Sequence, residues 1–213
     1  MKTGFGAERP EHLQEDWPGQ YKYFSHLEYA AGVPGVLFLI TTVKENGEPN
    51  ACFHAWSTFS GDGGGFFAVL SGLLQGSHTY ANILRDREFC INFLDPAYID
   101  ACMATINLGE DVDEVTAVGL HPENAETVSA PRIAEAFLTY ECRLHSVTDL
   151  SGQGISALII GRVLHAVKDA DHPNAGASFG DKGFMLYSHG AENAVTGEGS
   201  INLVLKLEQV KTL

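Results

Sequence analysis

Ser77, His78, Thr79 and Asn82 follow closely on the run Gly72-Leu73-Leu74-Gln75-Gly76. A strand ending in Ser71, a glycine-bracketed turn and a helix starting at Ser77 would gather hydroxyls, an amide and unpaired backbone N–H groups at one point. Such a point carries a partial positive charge and holds a phosphate without a basic surround. Arg85 and Arg87 stand nearby in the same predicted helix. A purely structural reading competes, in which Ser77 only caps the helix and Asn82 faces solvent.

A second group of residues suits a flat aromatic ligand. A planar ring needs a smooth apolar wall with main-chain groups for its polar edge. Between Asn50 and Thr58, the small residues Ala51, Ala55 and Ser57 let a ring approach the backbone, and Trp56 would border it. Period two places Cys52, His54, Trp56 and Thr58 on one face of a strand, with Ala51, Phe53, Ala55 and Ser57 on the other. The competing reading is an ordinary hairpin strand in which His54 finds a local hydrogen-bond partner.

Other signatures fail. Gly61 to Gly65 runs into Phe66, so the dinucleotide fingerprint G-x-G-x-x-G is absent. The glycines and lysine between Gly176 and Lys182 lack P-loop spacing. Gly154-Ile155-Ser156-Ala157-Leu158 lacks the closing glycine of a nucleophile elbow. Nine histidines include no H-E-x-x-H. Cys52, Cys90, Cys102 and Cys142 form no CxxC, and read as buried thiols of a reducing cytosol. Cys52-x-His54 and Cys142-x-x-His145 are isolated pairs, so no metal site is expected.

The elements that would position these groups are mostly strands. Residues 35–43 are apolar and β-branched and predict a buried strand. Asn46-Gly47 predicts a type I′ turn, with residues 49–59 returning as the hairpin partner. Gly61 to Gly65 reads as a flexible loop before a strand at 66–71. Residues 77–87 predict a helix with an apolar stripe at Tyr80, Ile83 and Leu84. Further strands are expected at 89–94, 136–148, 156–168, 184–188 and 201–210, with short helices around 97–105 and 111–118. About seven strands with one or two inserted helices make a mostly β chain, an antiparallel barrel rather than alternating βαβ units.

The chain has 213 residues, 45% of them apolar, and a formal charge of −14 from 13 Lys plus Arg against 27 Asp plus Glu. This composition fits a folded domain. An acidic balance spread over both halves argues against binding nucleic acid or an anionic membrane. The N-terminus lacks the apolar core of a secretory signal, and no run is long enough for a membrane helix, so a cytoplasmic location is expected.

In order, the chain shows N-G-x-P-N-A, a small-residue strand ending A-W-S, then S-H-T-Y-A-N-I and E-F-C-I-N-F. After these come D-V-D-E-V, A-P-R-I-A-E-A, Y-E-C-R-L and I-I-G-R-V. The ordered set, over residues 33–190, resembles the flavin reductase family, specifically its flavoredoxin-like branch with the FMN-binding split β-barrel. The resemblance implies a split antiparallel barrel at 33–190, with an N-terminal extension at 1–32 and a C-terminal loop and strand at 191–213. It implies FMN, with FAD less expected, bound by Asn50, Ala51, His54, Ala55, Trp56 and Ser57 along the isoalloxazine. Ser71, Ser77, His78, Thr79 and Asn82 would serve the ribityl chain and phosphate. His54, or more remotely Arg162, would donate to the flavin's oxygen edge. It further implies a homodimer and hydride transfer from NAD(P)H to flavin. Electrons would pass on to a small-molecule redox partner or an electron-transfer protein. An alternative is a flavin-binding electron carrier without nicotinamide turnover. Leu186-Tyr187-Ser188-His189-Gly190 is a loose counterpart of the family's nicotinamide contact. Glu141 and Cys142 match the family pattern but read as packing residues.

Overall fold

A computed structural model describes residues 2, 4–172, 174–190, 193, 195–199 and 202–208. The apolar run at 35–43 forms β1 (Gly35–Val36) and β2 (Phe38–Val43). It is apolar throughout because both faces are buried. Phe38 and Ile40 face one core with Leu70, Phe89, Ile91 and Phe93. Leu37 and Leu39 face a second core with Ala51, Leu94, Cys102, Val115 and Ile133. The strand breaks at Leu37, whose N–H leaves the main sheet to bond the Met185 carbonyl at 2.9 Å.

The main sheet also contains β3 (Pro49–His54), β4 (Ser57–Asp62), β5 (Gly65–Leu74) and β6 (Glu88–Phe93). After two-residue β7 (Pro122–Glu123) and β8 (Arg132–Ile133), β9 (Leu138–Asp149) and β10 (Ser156–Lys168) complete it. Its antiparallel order is β3-β2-β6-β9-β10-β5-β4. The chain passes from β3 at one edge to β4 at the other through Ala55 and Trp56 alone. The three Cα steps from His54 to Ser57 span at most ~11 Å even when extended, so the two edges must meet and the sheet curls into a barrel. The Trp56 carbonyl marks the join, accepting from the Ser71 N–H at 2.8 Å. The first core fills the barrel. The second lies between its wall and the insert carrying α4 (Ile99–Ala104) and α5 (Glu114–Ala117).

Several details differ from the sequence expectation. The predicted single strand at 49–59 is β3 and β4, split where the barrel closes. At the 44–48 turn Gly47 has φ 88°, but Asn46 is not left-handed as type I′ requires. Instead Gly47 N–H donates to the Lys44 carbonyl at 3.0 Å and Lys44 N–H to the Glu48 carbonyl at 2.9 Å. This is the longer hairpin loop that ends in one left-handed glycine. Gly61 and Gly65 are not loop residues: Gly61 pairs with Phe66 and Asp62 with Gly65 across a tight β4–β5 turn. The predicted helix at 77–87 is α3 (His78–Asp86), capped by Ser77. Its buried side is Thr79, Asn82 and Ile83, while Leu84 is exposed.

Before the barrel, α1 (Gln20–Tyr23) and α2 (His26–Ala31) form a short aromatic-rich segment lying on it. After it, β11 (Met185–Ser188) pairs with β1 and with β12 (Leu203–Lys206). Of the predicted strand at 201–210, residues 201, 209 and 210 lie outside the described residues. The fold is mostly β with inserted helices, as expected. No helix among the described residues is long and apolar enough to cross a membrane.

Candidate functional site

A cavity of about 450 Å³ opens where β3, the start of α3, the 99–108 insert and the N-terminal segment converge. Ligand sites of small molecules run from ~300 to 1,000 Å³.

One end is the N-terminus of α3. The Ser77 hydroxyl accepts from Tyr80 N–H at 3.2 Å and donates to the Leu74 carbonyl at 2.8 Å. Capping therefore occupies it, in line with the structural reading. Helix geometry leaves the His78 and Thr79 amides without an intrahelical acceptor. Thr79 is buried, and its Oγ1 accepts from Asn50 Nδ2 at 2.9 Å, which ties α3 to β3. Its hydroxyl also stands within hydrogen-bonding reach of the Cys52 sulfur, and its proton can rotate to a stronger acceptor. His78 is exposed at the cavity rim.

The side wall is β3. Asn50, Ala51, Cys52, Phe53 and His54 line it, followed by Trp56. His54 is fully enclosed, and its Nε2 donates to the Trp56 carbonyl at 3.2 Å. Burial pushes its pKa down to about 4, against the backbone hydrogen bonds that favour the charged ring. It is a neutral imidazole satisfied by its own strand end. Burial likewise lifts the Cys52 thiol to about 11, so it is not a thiolate near neutral pH.

Glu114 enters from the insert. One oxygen lies 2.8 Å from Lys44 Nζ, and the other accepts from Ala51 N–H at 2.8 Å. Lys44 also donates to the carbonyls of Gly109 (3.0 Å) and Val112 (2.8 Å). This buried pair clamps the insert to the outer edge of the barrel and uses the edge-strand N–H of Ala51. No Arg or Lys among the described residues lines the cavity.

The other end is aromatic. Trp17, Phe24 and Tyr29 come from the N-terminal segment, Trp56 from the β3–β4 link, and Tyr187 and His189 from β11 and just beyond. His189 is stacked on Tyr29 at 4.9 Å and 2°, with Phe24 edge-on at 4.3 Å and Trp56 at 4.7 Å. Its Nδ1 lies 2.7 Å from Glu28 Oε1 on α2. Burial, then Tyr29 and Glu28, push the Tyr187 hydroxyl up to about 12, so it keeps its proton.

Of the residues singled out from sequence, Asn50, Ala51, His54, Trp56, Ser77, His78 and Thr79 border this cavity. Ala55 is buried in the second core beside it. Ser71 Oγ lies 3.4 Å from the Trp56 carbonyl at the barrel join. The Ser57 hydroxyl is buried with no partner among the described residues. Asn82 does not face solvent: its Nδ2 donates to Thr42 Oγ1 at 3.0 Å and its Oδ1 accepts from Arg85 at 3.2 Å. The bond to Thr42 holds α3 against β2, and Asn82 is not among the residues lining the cavity. Arg87 donates to the Leu144 carbonyl at 3.3 Å, and Arg162 to the Gly64 carbonyl at 3.0 Å. Arg162 therefore braces the β4–β5 turn. Glu141 is a packing residue, fully buried and accepting from Glu126 N–H at 3.0 Å and Thr127 N–H at 2.7 Å.

Sequence reasoning missed Glu114, the 103–108 stretch and the aromatic trio before the barrel. Only the density of aromatics in residues 17–29 signalled that segment.

Similarity to known proteins extends over both the barrel and the cavity walls. Residues 30–194 match the family model described as "Flavin reductase like domain". The uncharacterised protein YwrF of Bacillus subtilis is 31% identical over 139 residues, which is 62% of this chain and 67% of that one. A Shewanella frigidimarina protein with a split barrel domain, assigned as a flavin reductase, superposes with a TM-score of 0.74 at 18% identity. That match covers 99% of this chain and 98% of the other. The FMN-binding protein of Thermus thermophilus gives a TM-score of 0.66 at 20% identity, covering 97% and 100%. The barrel is therefore a split barrel.

Proposed function

Because the chain belongs to the flavin reductase-like domain family, we propose that the cavity takes FMN and that the protein passes reducing equivalents from NAD(P)H to an acceptor. One observation carries this reading. A single cavity joins an uncapped pair of helix amides at His78 and Thr79 to an apolar strand wall at Ala51–Trp56. A monophosphate on a polyol chain needs the first, and a tricyclic ring needs the second.

The donor set fits the group. The phosphate would be held by the α3 amides, the Thr79 hydroxyl and the rim imidazole of His78. The ring would lie along β3, with Trp56 and Phe53 excluding water. Asn50 keeps Thr79 in place through its 2.9 Å bond. Flavin, when bound, supplies the two-electron redox chemistry, and the protein supplies position and electrostatics. His54 does not move a proton in this scheme, because its ring is enclosed and bonded to Trp56. The aromatic end at Trp56, Tyr187 and His189 would receive the nicotinamide.

The electron-carrier reading has one observation in its favour. The absence of Arg and Lys from the cavity lining among the described residues leaves a dinucleotide's pyrophosphate without a lining cation from the described part of this chain. A homodimer, which we also propose, would let a second chain supply it. Anaerobic titration of the FMN-loaded protein separates the readings. Bleaching of the flavin by NADH or NADPH supports the reductase. A yellow protein that neither nicotinamide bleaches is the carrier.

A further inference from the structure

His189 is held on several sides at the aromatic end of the cavity. Tyr29 stacks on its face, Phe24, Trp56 and Tyr187 surround it, and it is only 8% exposed. Its Nδ1 is 2.7 Å from Glu28 Oε1. The titratable side chains touching the ring are Glu28 and Tyr29 from α2 and Tyr187 from β11. A carboxylate only accepts hydrogen bonds, so Nδ1 must carry the proton. The neutral ring then has no proton on Nε2. Among the described residues Nε2 has no hydrogen-bond partner, and His189 lines the cavity.

We propose that Glu28 is a positioning residue that locks His189 as its Nδ1–H tautomer and so turns Nε2 into a hydrogen-bond acceptor for a ring bound at the aromatic end of the cavity. An acceptor at that point selects a planar ring whose edge carries an N–H or O–H, such as a carboxamide, over one whose edge carries only acceptors. A carboxylate bonded to the far nitrogen of a histidine fixes its tautomer by the same logic at metal and catalytic sites. Glu28 lies in the segment before the barrel and His189 just after β11, so the segment contributes to the ligand site. The tautomer depends on the Glu28–His189 contact alone. Its use toward a nicotinamide carboxamide rests on the reductase reading above.

Imidazole nitrogen NMR on uniformly labelled, FMN-free protein at mildly alkaline pH tests the lock. The wild type should show a protonated-type Nδ1 and an unprotonated-type Nε2 for His189. Glu28→Gln presents both a carbonyl and an NH₂ group to Nδ1 and should give a mixture of the two tautomers. Glu28→Met, of similar length but without an acceptor, should shift the ring toward the Nε2–H form. Dispersed amide spectra would show that the variant is folded, and Glu28→Ala is the second variant if it is not. An Nε2–H ring in the wild type, or an unchanged ring in folded Glu28→Met, overturns the proposal. In turnover, Glu28→Met should raise KM for the nicotinamide several-fold with FMN affinity unchanged, and an unchanged KM overturns the role of Nε2 in selection. A wild type that oxidises neither nicotinamide retires the reductase reading and leaves the tautomer result standing.

Discussion

Thr79 joins two elements, accepting from Asn50 on β3 while its own amide stands unpaired at the start of α3. Hydrogen bonds to charged groups contribute ~1.5–3 kcal/mol. Thr79→Ala should therefore weaken FMN binding by about tenfold or more and riboflavin binding far less, with Thr79→Ser close to wild type. Equal losses for both flavins by fluorescence titration would place the phosphate elsewhere. His54 makes a different prediction. Its folded pKa of about 4 lies below the ordinary imidazole value of 6.5. The unfolded chain thus takes up a proton that the folded one refuses. Stability from this residue is full above about pH 6.5 and is lost as pH falls toward 4, by roughly 3 kcal/mol. Urea unfolding of His54→Gln across that window should show a flatter acid limb, and an identical slope would assign the loss to other groups. These two residues also show how far single positions are legible. Thr79 and Asn50 are recognisable because a helix start and a small-residue strand have local signatures. The commitment of Asn82 to Thr42, and of Arg162 to Gly64, depends on partners 40 and 98 residues away.

At the scale of elements, the barrel depends on how closely its two edges approach. A Cβ built on Gly35 would collide with the Ala55 carbonyl oxygen, beside the link that closes the barrel. That neighbour is main chain and has no rotamer to change. Gly35→Ala should destabilise the fold by at least the ~1–3 kcal/mol typical of overpacking, read as a lower urea midpoint. A neutral substitution would mean that the link is slack. The insert is held by the Lys44–Glu114 pair, both partners nearly fully buried. Lys44→Met leaves Glu114 uncompensated and should cost about 3–5 kcal/mol, while Lys44→Met with Glu114→Gln should recover much of it. Additive losses in that cycle would show that the two charges are not coupled. Most strands are readable from periodicity, since β-branched runs such as 35–43 and 156–168 leave few alternatives. The split of 49–59 is not, because nothing in its alternation marks the two residues where the chain changes edges. Trp56 accordingly leaves the face it shares by period with Cys52 and His54. The 44–48 turn departs from expectation because Asn-Gly serves two loop lengths, and the flanking register selects between them.

The whole molecule is strongly acidic, at −14, and its cavity lacks a lining cation among the described residues. An incoming dinucleotide is repelled over roughly a Debye length, which shrinks as salt is added. KM for NAD(P)H should therefore fall as ionic strength rises from about 0.01 M to 0.15 M, where that length drops from ~30 Å to ~8 Å. A KM that rises instead would show that attraction to a local cation, supplied by a second chain, outweighs the long-range repulsion. The barrel and one end of the site can be read from the sequence. The other end is assembled from residues 17–29 and 187–189, which only the closed fold brings together. Whether one cavity holds FMN through the α3 amides and the β3 wall is tested most directly by a visible spectrum. The purified protein is mixed with FMN, freed of excess ligand by gel filtration and scanned. The predicted result is a yellow protein carrying one FMN per chain with a shifted flavin band, and a colourless protein after the same treatment would contradict it.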